Sequence, residues 1–137
     1  MKVFFDTSAF VKRYVEERGS ATVEDLCMRA TSVALSILAV TETLSAFNRR
    51  MREKNLPVKK YNQIKTAFFE DIVDIELISL DTSIVEVSIH ALESHPLKTL
   101  DALQIACALY WQADLFVSSD AQQIVAAQKM GLMAQQV

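Results

Sequence analysis

The sequence predicts an α/β protein built on a parallel sheet of four to five short strands covered by helices. Three observations carry this prediction. Short apolar runs alternate with longer stretches of helical periodicity along the chain, and strands separated by helices imply parallel pairing under a helical cover. Only two Gly and two Pro occur in 137 residues, too few turn-formers for a many-stranded β fold. Apolar residues make up 51% of the composition, which excludes disorder and suits a single domain over residues 1–137 with a real core.

The elements follow in order. Lys2 to Phe5 (KVFF) is a short buried strand that ends in Asp6. Ser8 is placed to cap a helix carrying Phe10, Val11, Tyr14 and Val15 at helical spacing. Gly19-Ser20 breaks it, and a second helix runs to about Ala30. Val33 to Ile37 (VALSI) reads as a strand. A long helix follows, with Leu44, Phe47 and Met51 on one face, and Asn55-Leu56-Pro57 ends it. Tyr61, Ile64, Phe68, Ile72 and Ile75 mark another. Glu76 to Leu80 (ELISL) is a third strand, and a helix starting at Thr82 or Ser83 stops before Pro96. Thr99 is placed to cap the next helix, with Leu100, Leu103, Cys107 and Tyr110 as its buried stripe. Asp114 to Ser118 (DLFVS) is a fourth strand, Ala121 to Lys129 a short helix, and Leu132 to Ala134 a weak last strand.

Several functional classes drop out. The apolar runs are too short to span a bilayer. MKVFFDTSAF is not a signal peptide. Cys27 and Cys107 have no CxxC spacing and read as free thiols of a cytoplasmic protein. No phosphate-cradling GxxxxGK[ST] or GxGxxG occurs. No Ser-His-Asp or Cys-His arrangement stands out. His90 and His95 are five apart, the wrong spacing for adjacent ligands on one helical face.

The chemistry lies in four carboxylates: Asp6, Glu42, Asp101 and Asp120. Asp6 and Asp120 follow apolar strand runs, Asp101 opens an apolar helix, and Glu42 sits within AVTETLSAF. None has a cation three or four residues C-terminal to it, where a helical ion pair would form. In open parallel sheets, ligands bind beyond the carboxyl ends of the strands. Each acid also has a plainer reading. Asp6 and Asp120 suit helix N-caps, and Asp101 suits a first helical turn. Taken together, four acids at one sheet edge repel unless a cation lies among them, and the fitting guest is a hard divalent ion. A net charge of −3 argues against nucleic acid, but setting those four acids aside leaves +1. Arg49, Arg50, Arg52 and Lys54 form one basic run, and Lys12 and Arg13 lie just beyond Asp6. A solvated helix face is the competing reading of such runs.

At these residues the chain resembles PIN-domain ribonucleases, specifically the VapC-like toxins of prokaryotic toxin–antitoxin pairs. The matching pieces are VFFDTSAFVKRY at Val3–Tyr14, AVTETLSAFNR at Ala39–Arg49, LKTLDALQIACAL at Leu97–Leu109, and LFVSSD at Leu115–Asp120. The resemblance implies a PIN fold, with helices on both sides of the sheet, and Mg²⁺- or Mn²⁺-dependent hydrolysis of RNA phosphodiesters. It implies that Asp6 and Asp101 are the principal metal-binding positions. Glu42 matches an acid that binds metal or orients the water, Asp120 a fourth and more variable acid, and Ser118 a residue that supports the acids indirectly. It also implies a homodimer, and a small antitoxin whose tail covers the site. Arg49, with Lys12 and Arg13, is the expected contact for RNA phosphates. The competing function is a non-catalytic PIN-like module that binds RNA or protein. An aspartyl-phosphate phosphatase expects a second Asp where Ser8 stands, and a receiver domain expects an acid pair where Asp6 stands alone.

Overall fold

The computed structural model describes residues 1–137. Five strands, β1 (Lys2–Phe5), β2 (Ser32–Ser36), β3 (Glu76–Ile78), β4 (Leu115–Ser118) and β5 (Ala134–Gln136), form one sheet in the order β3-β2-β1-β4-β5. Every pairing is parallel. Seven α-helices connect them: α1 (Thr7–Phe10), α2 (Ser20–Arg29), α3 (Leu38–Arg52), α4 (Val58–Asp71), α5 (Thr82–Ser94), α6 (Thr99–Tyr110) and α7 (Ala121–Lys129).

Both faces of the sheet are buried, which explains why its strands read as continuous apolar runs. Side chains alternate across a strand. Val3 and Phe5 therefore join one core with Leu35, Val117, Phe10, Phe47 and Phe68. Phe4 joins the other, with Phe116, Ala34, Ile105 and Ile124. The first core lies under α1 to α4, the second under α5 to α7.

Strand order positions the site. The chain winds outward from β1 through β2 to β3, then returns to place β4 on the other side of β1. The order reverses between β1 and β4, and a crevice opens at such a point beyond the strand ends. Phe5 is in register with Val117, and the Asp6 N–H continues the ladder to the Val117 carbonyl at 3.0 Å. Asp6 and Ser118 therefore emerge side by side.

The structure corrects three details of the sequence reading. Ser8 does not cap α1; Asp6 does, accepting from the Ala9 N–H. Thr99 is the first residue of α6, and Lys98 occupies the cap position without a side-chain bond. The stripe expected on α6 is also different: Cys107 is buried, but Leu100 and Tyr110 are exposed, and Ala102, Gln104, Ile105, Ala106 and Ala108 are buried. α6 packs against α5, α7 and the sheet. Small residues suit a helix enclosed on several sides, so its Ala face outranks its Leu face.

Candidate active site

Asp6 ends β1 and begins α1, and its carboxylate is built into that turn. Oδ1 accepts the Ala9 N–H at 3.0 Å. The Ser8 hydroxyl reaches both oxygens, at 2.7 Å and 2.9 Å. Ser118 Oγ, from the end of β4, lies 3.1 Å from Oδ2. Ser8 Oγ in turn accepts the Ser119 N–H at 3.0 Å, which ties the two strand ends together. Asp6 is buried.

Glu42 faces this turn from the second turn of α3. Its Oε1 accepts the Thr7 hydroxyl at 2.9 Å and the Gln104 amide at 2.8 Å. Asp101 stands in the first turn of α6. Asp120 caps α7, with Oδ1 accepting the Gln122 and Gln123 N–H groups at 2.9 Å and 3.5 Å. Capping is thus the local role of both Asp6 and Asp120, and in Asp120 it engages one oxygen only. Gln123 is fully buried. It receives the Ser118 hydroxyl at 2.6 Å and donates to the Asp101 carbonyl at 3.3 Å, linking the α6 N-terminus to β4.

The electrostatics join these acids into one group. Burial pushes the Asp6 carboxyl up to about 7, against the hydrogen bonds from Ser8, Ala9 and Ser118, and Asp101 adds repulsion. The Asp101 carboxyl is also raised, first by partial burial, then by Asp120, with Glu42 adding to it and Lys98 opposing. Asp101 therefore feels Asp120 and Glu42, and Asp6 feels Asp101. The donor set is all oxygen, the chemistry a hard divalent cation prefers. No three His, Cys, Asp or Glu side chains gather closely enough to make a ready cage. Mg²⁺ does not require one, since it keeps several waters and takes one or two carboxylates. The residues present fit such an ion.

A cleft of about 520 Å³ opens beside the acids, lined by Thr7, Ser8, Glu42, Ser119, Arg18 and Arg49 among others. Arg18 and Arg49 are exposed and have no ion-pair partner. Arg50 also lines it but is held by Glu17 at 2.9 Å. The Lys12 ammonium is buried at the cleft wall and donates to the Arg18 carbonyl at 2.6 Å.

The PIN-domain family model matches residues 3–129. The chain belongs to the PIN-domain family. Among solved structures, the PIN chain is similar in fold to VapC20 of Mycobacterium tuberculosis, a sarcin–ricin loop cleaving toxin. That pair has a TM-score of 0.72 and 16% identity, covering 98% of this chain and 99% of the other. It is similar to FitAcB from Neisseria gonorrhoeae, with TM-score 0.71, 15% identity and coverage of 96% and 95%. A third is VapBC2 from Rickettsia felis, bound to a DNA fragment from its promoter, with TM-score 0.69, 14% identity and coverage of 100% and 99%. A search of curated proteins by sequence finds no match.

On this PIN scaffold, Asp6, Glu42, Asp101, Asp120 and Ser118 stand at one sheet edge. Arg49 shares the adjoining cleft with Glu42. Arg13 does not reach it. After one turn of α1 the backbone tightens into a 3₁₀ turn over Val11–Arg13. The guanidinium goes instead to Glu24 at 3.1 Å and Asp71 at 3.4 Å, in a separate depression beside Cys27. Sequence reasoning missed Thr7, Gln104, Gln123 and Arg18. Thr7 lies within the matching piece VFFDTSAFVKRY and was open to notice. Gln104 gave no signal, because its partners are remote in sequence; Gln123 lies only five residues from Ser118, but its burial could not be read from an exposed-looking AQQ helix start.

Proposed function

We propose that this PIN domain is a Mg²⁺- or Mn²⁺-dependent endoribonuclease, the toxin of a toxin–antitoxin pair, with residues 1–137 acting as one catalytic domain. The observation that carries this reading is the pair of raised carboxyls, Asp6 and Asp101, at the strand-order reversal, where burial drives both toward the neutral form and neighbouring acids add repulsion. Such an arrangement costs stability unless a cation occupies it.

When bound, the metal supplies an activated water and neutralises charge on the phosphoryl oxygens of an in-line displacement. Asp6 and Asp101 would hold it, with Glu42 and Asp120 beside them. Asp120 keeps Oδ2 free of its capping bonds and Glu42 keeps Oε2 free. These oxygens are available to the ion or to the attacking water. Ser118 and Ser8 orient Asp6. Arg49 and Arg18, unpaired at the cleft, contact the phosphates flanking the scissile bond, a role that positions RNA without reading its sequence.

The partners are an RNA substrate, a small cognate antitoxin and a second copy of the chain, in the cytoplasm. No helix is long and apolar enough to cross a membrane. The similar chains from Mycobacterium tuberculosis and Rickettsia felis, a loop-cleaving toxin and a VapBC complex, support this class. A non-catalytic binding module draws on one observation, the lack of a preassembled set of three ligands. RNA cleavage assays with Mg²⁺, Mn²⁺ and EDTA separate the two. Metal-dependent cleavage leaving 5′-phosphate ends, lost in Asp6→Asn and Asp101→Asn, supports the nuclease. RNA binding without cleavage under any metal supports the module.

A further inference from the structure

We propose that Gln104 is a positioning residue that fixes which oxygen of Glu42 is available for chemistry. The proposal rests on the nuclease reading for its catalytic consequence, and on geometry for its anchor. Gln104 is 2% exposed. Its Nε2 donates to Glu42 Oε1 at 2.8 Å and to Thr7 Oγ1 at 3.2 Å, and the Thr7 hydroxyl donates to the same Oε1 at 2.9 Å. An ionised carboxylate only accepts, so the amide nitrogen, and not its oxygen, must face Glu42. Three elements, α1, α3 and α6, thus close a triangle on one carboxylate oxygen. Oε2 is left without a protein partner, on a side chain that lines the cleft.

The same amide carries a cost. Gln104 Oε1 is buried with no hydrogen-bond partner. An orphaned buried acceptor destabilises a fold, a cost that an apolar residue of similar shape at that position would not carry. The gain from Gln at this position lies in holding Glu42. It also explains how a half-buried acid keeps one orientation on α3, where its helical neighbours Leu38, Ala39, Ser45 and Ala46 offer no donor strong enough to hold it.

The test is Gln104→Met, a replacement of similar length without a donor. Its melting temperature should stay near that of the wild type, because removal of the orphaned acceptor offsets the lost bond to Glu42. Its kcat should fall by about 10–100-fold, the usual effect of losing a group that orients a metal-site carboxylate, with KM for RNA unchanged. A crystal structure of the variant should show the Glu42 carboxylate displaced or in several rotamers while the sheet superposes. A kcat at the wild-type value, a loss explained by a lowered melting temperature, or an unmoved Glu42 would overturn the proposal. If Gln104→Met fails to fold, the side-chain amide signals of Gln104 in ¹⁵N NMR still decide it. They should shift on Glu42→Gln, and signals that stay put would remove the anchor. Failure of the wild type to cut any RNA would sink the nuclease reading, while the melt, the crystal structure and the amide signals would still read the anchor.

Discussion

Ser118 Oγ stands 3.1 Å from Asp6 Oδ2 and 2.6 Å from Gln123 Oε1, so one hydroxyl proton serves two acceptors that cannot both receive it. The same oxygen accepts the Asp120 N–H at 3.0 Å. Ser118 therefore joins the first acid to the last. In Ser118→Ala the Asp120 N–H and Gln123 Oε1 both lose a partner inside the protein. The variant should lose about 1–3 kcal/mol of stability, measurable by urea titration, and the Asp6 carboxyl should move further up.

The raised carboxyl of Asp6 makes metal-free stability pH-dependent. The folded state holds that proton up to about 7, whereas the unfolded chain releases it near the ordinary carboxyl value. Between the two the folded state binds more protons, so unfolding free energy falls as pH rises. Metal-free protein should thus be more stable at mildly acid pH than at pH 8, by an amount on the order of a few kcal/mol. Asp101, raised in the same direction, adds to the slope. Thermal melts across pH in EDTA check this, and Asp6→Asn should flatten most of the dependence.

Asp6→Asn should leave the fold intact, because Asn caps a helix about as well as Asp. With the buried charge removed, metal-free protein at pH 8 should melt higher than wild type. RNA cleavage should drop by more than about 100-fold, since metal-centred charge stabilisation is worth several kcal/mol. Adding Mg²⁺ or Mn²⁺ should raise the wild-type melting temperature, by about 2.7 kcal/mol of stability at a hundred times Kd, and should not raise that of the variant.

Arg49→Ala should weaken RNA binding and reduce the slope of log K against log salt by about one phosphate contact, roughly 0.7–0.9. Arg18→Ala should do the same from the other wall of the cleft. Arg13→Ala should leave the slope alone. Its guanidinium is engaged by Glu24 and Asp71, and losing those partly exposed pairs should cost no more than about 1 kcal/mol. RNA affinity across a salt series, run for all three variants, checks the assignment.

Much of the architecture was legible because period and punctuation agreed. KVFF, VALSI and DLFVS are apolar, short and followed by helical spacing, and the structure has strands at Lys2–Phe5, Ser32–Ser36 and Leu115–Ser118. The acids stood out for the opposite reason: none has a cation three or four residues C-terminal to it. What resisted reading was orientation. Arg13 and Lys12 share a segment with Asp6, but a 3₁₀ turn redirects one and a backbone carbonyl ties down the other. Gln104 was hidden by distance, its partners lying 97 and 62 residues away. Leu103 and Leu100 outweigh Ala on any hydrophobicity scale, so the tight, Ala-lined face of α6 was not visible without its neighbours.

The reversal of strand order has a consequence for synthesis. β1 is made first, yet the strand that covers its second edge, β4, begins only at Leu115. A nascent chain that has not reached that residue can pair β1, β2 and β3, but it presents the apolar VFF segment as an open edge, a template for wrong pairing. It also lacks Ser118 and Asp120, so Asp6 keeps Ser8 and the Ala9 N–H but has no partner from β4. The group of acids is therefore complete only once β4 has paired with β1, and chains truncated before Leu115 are prone to stick together.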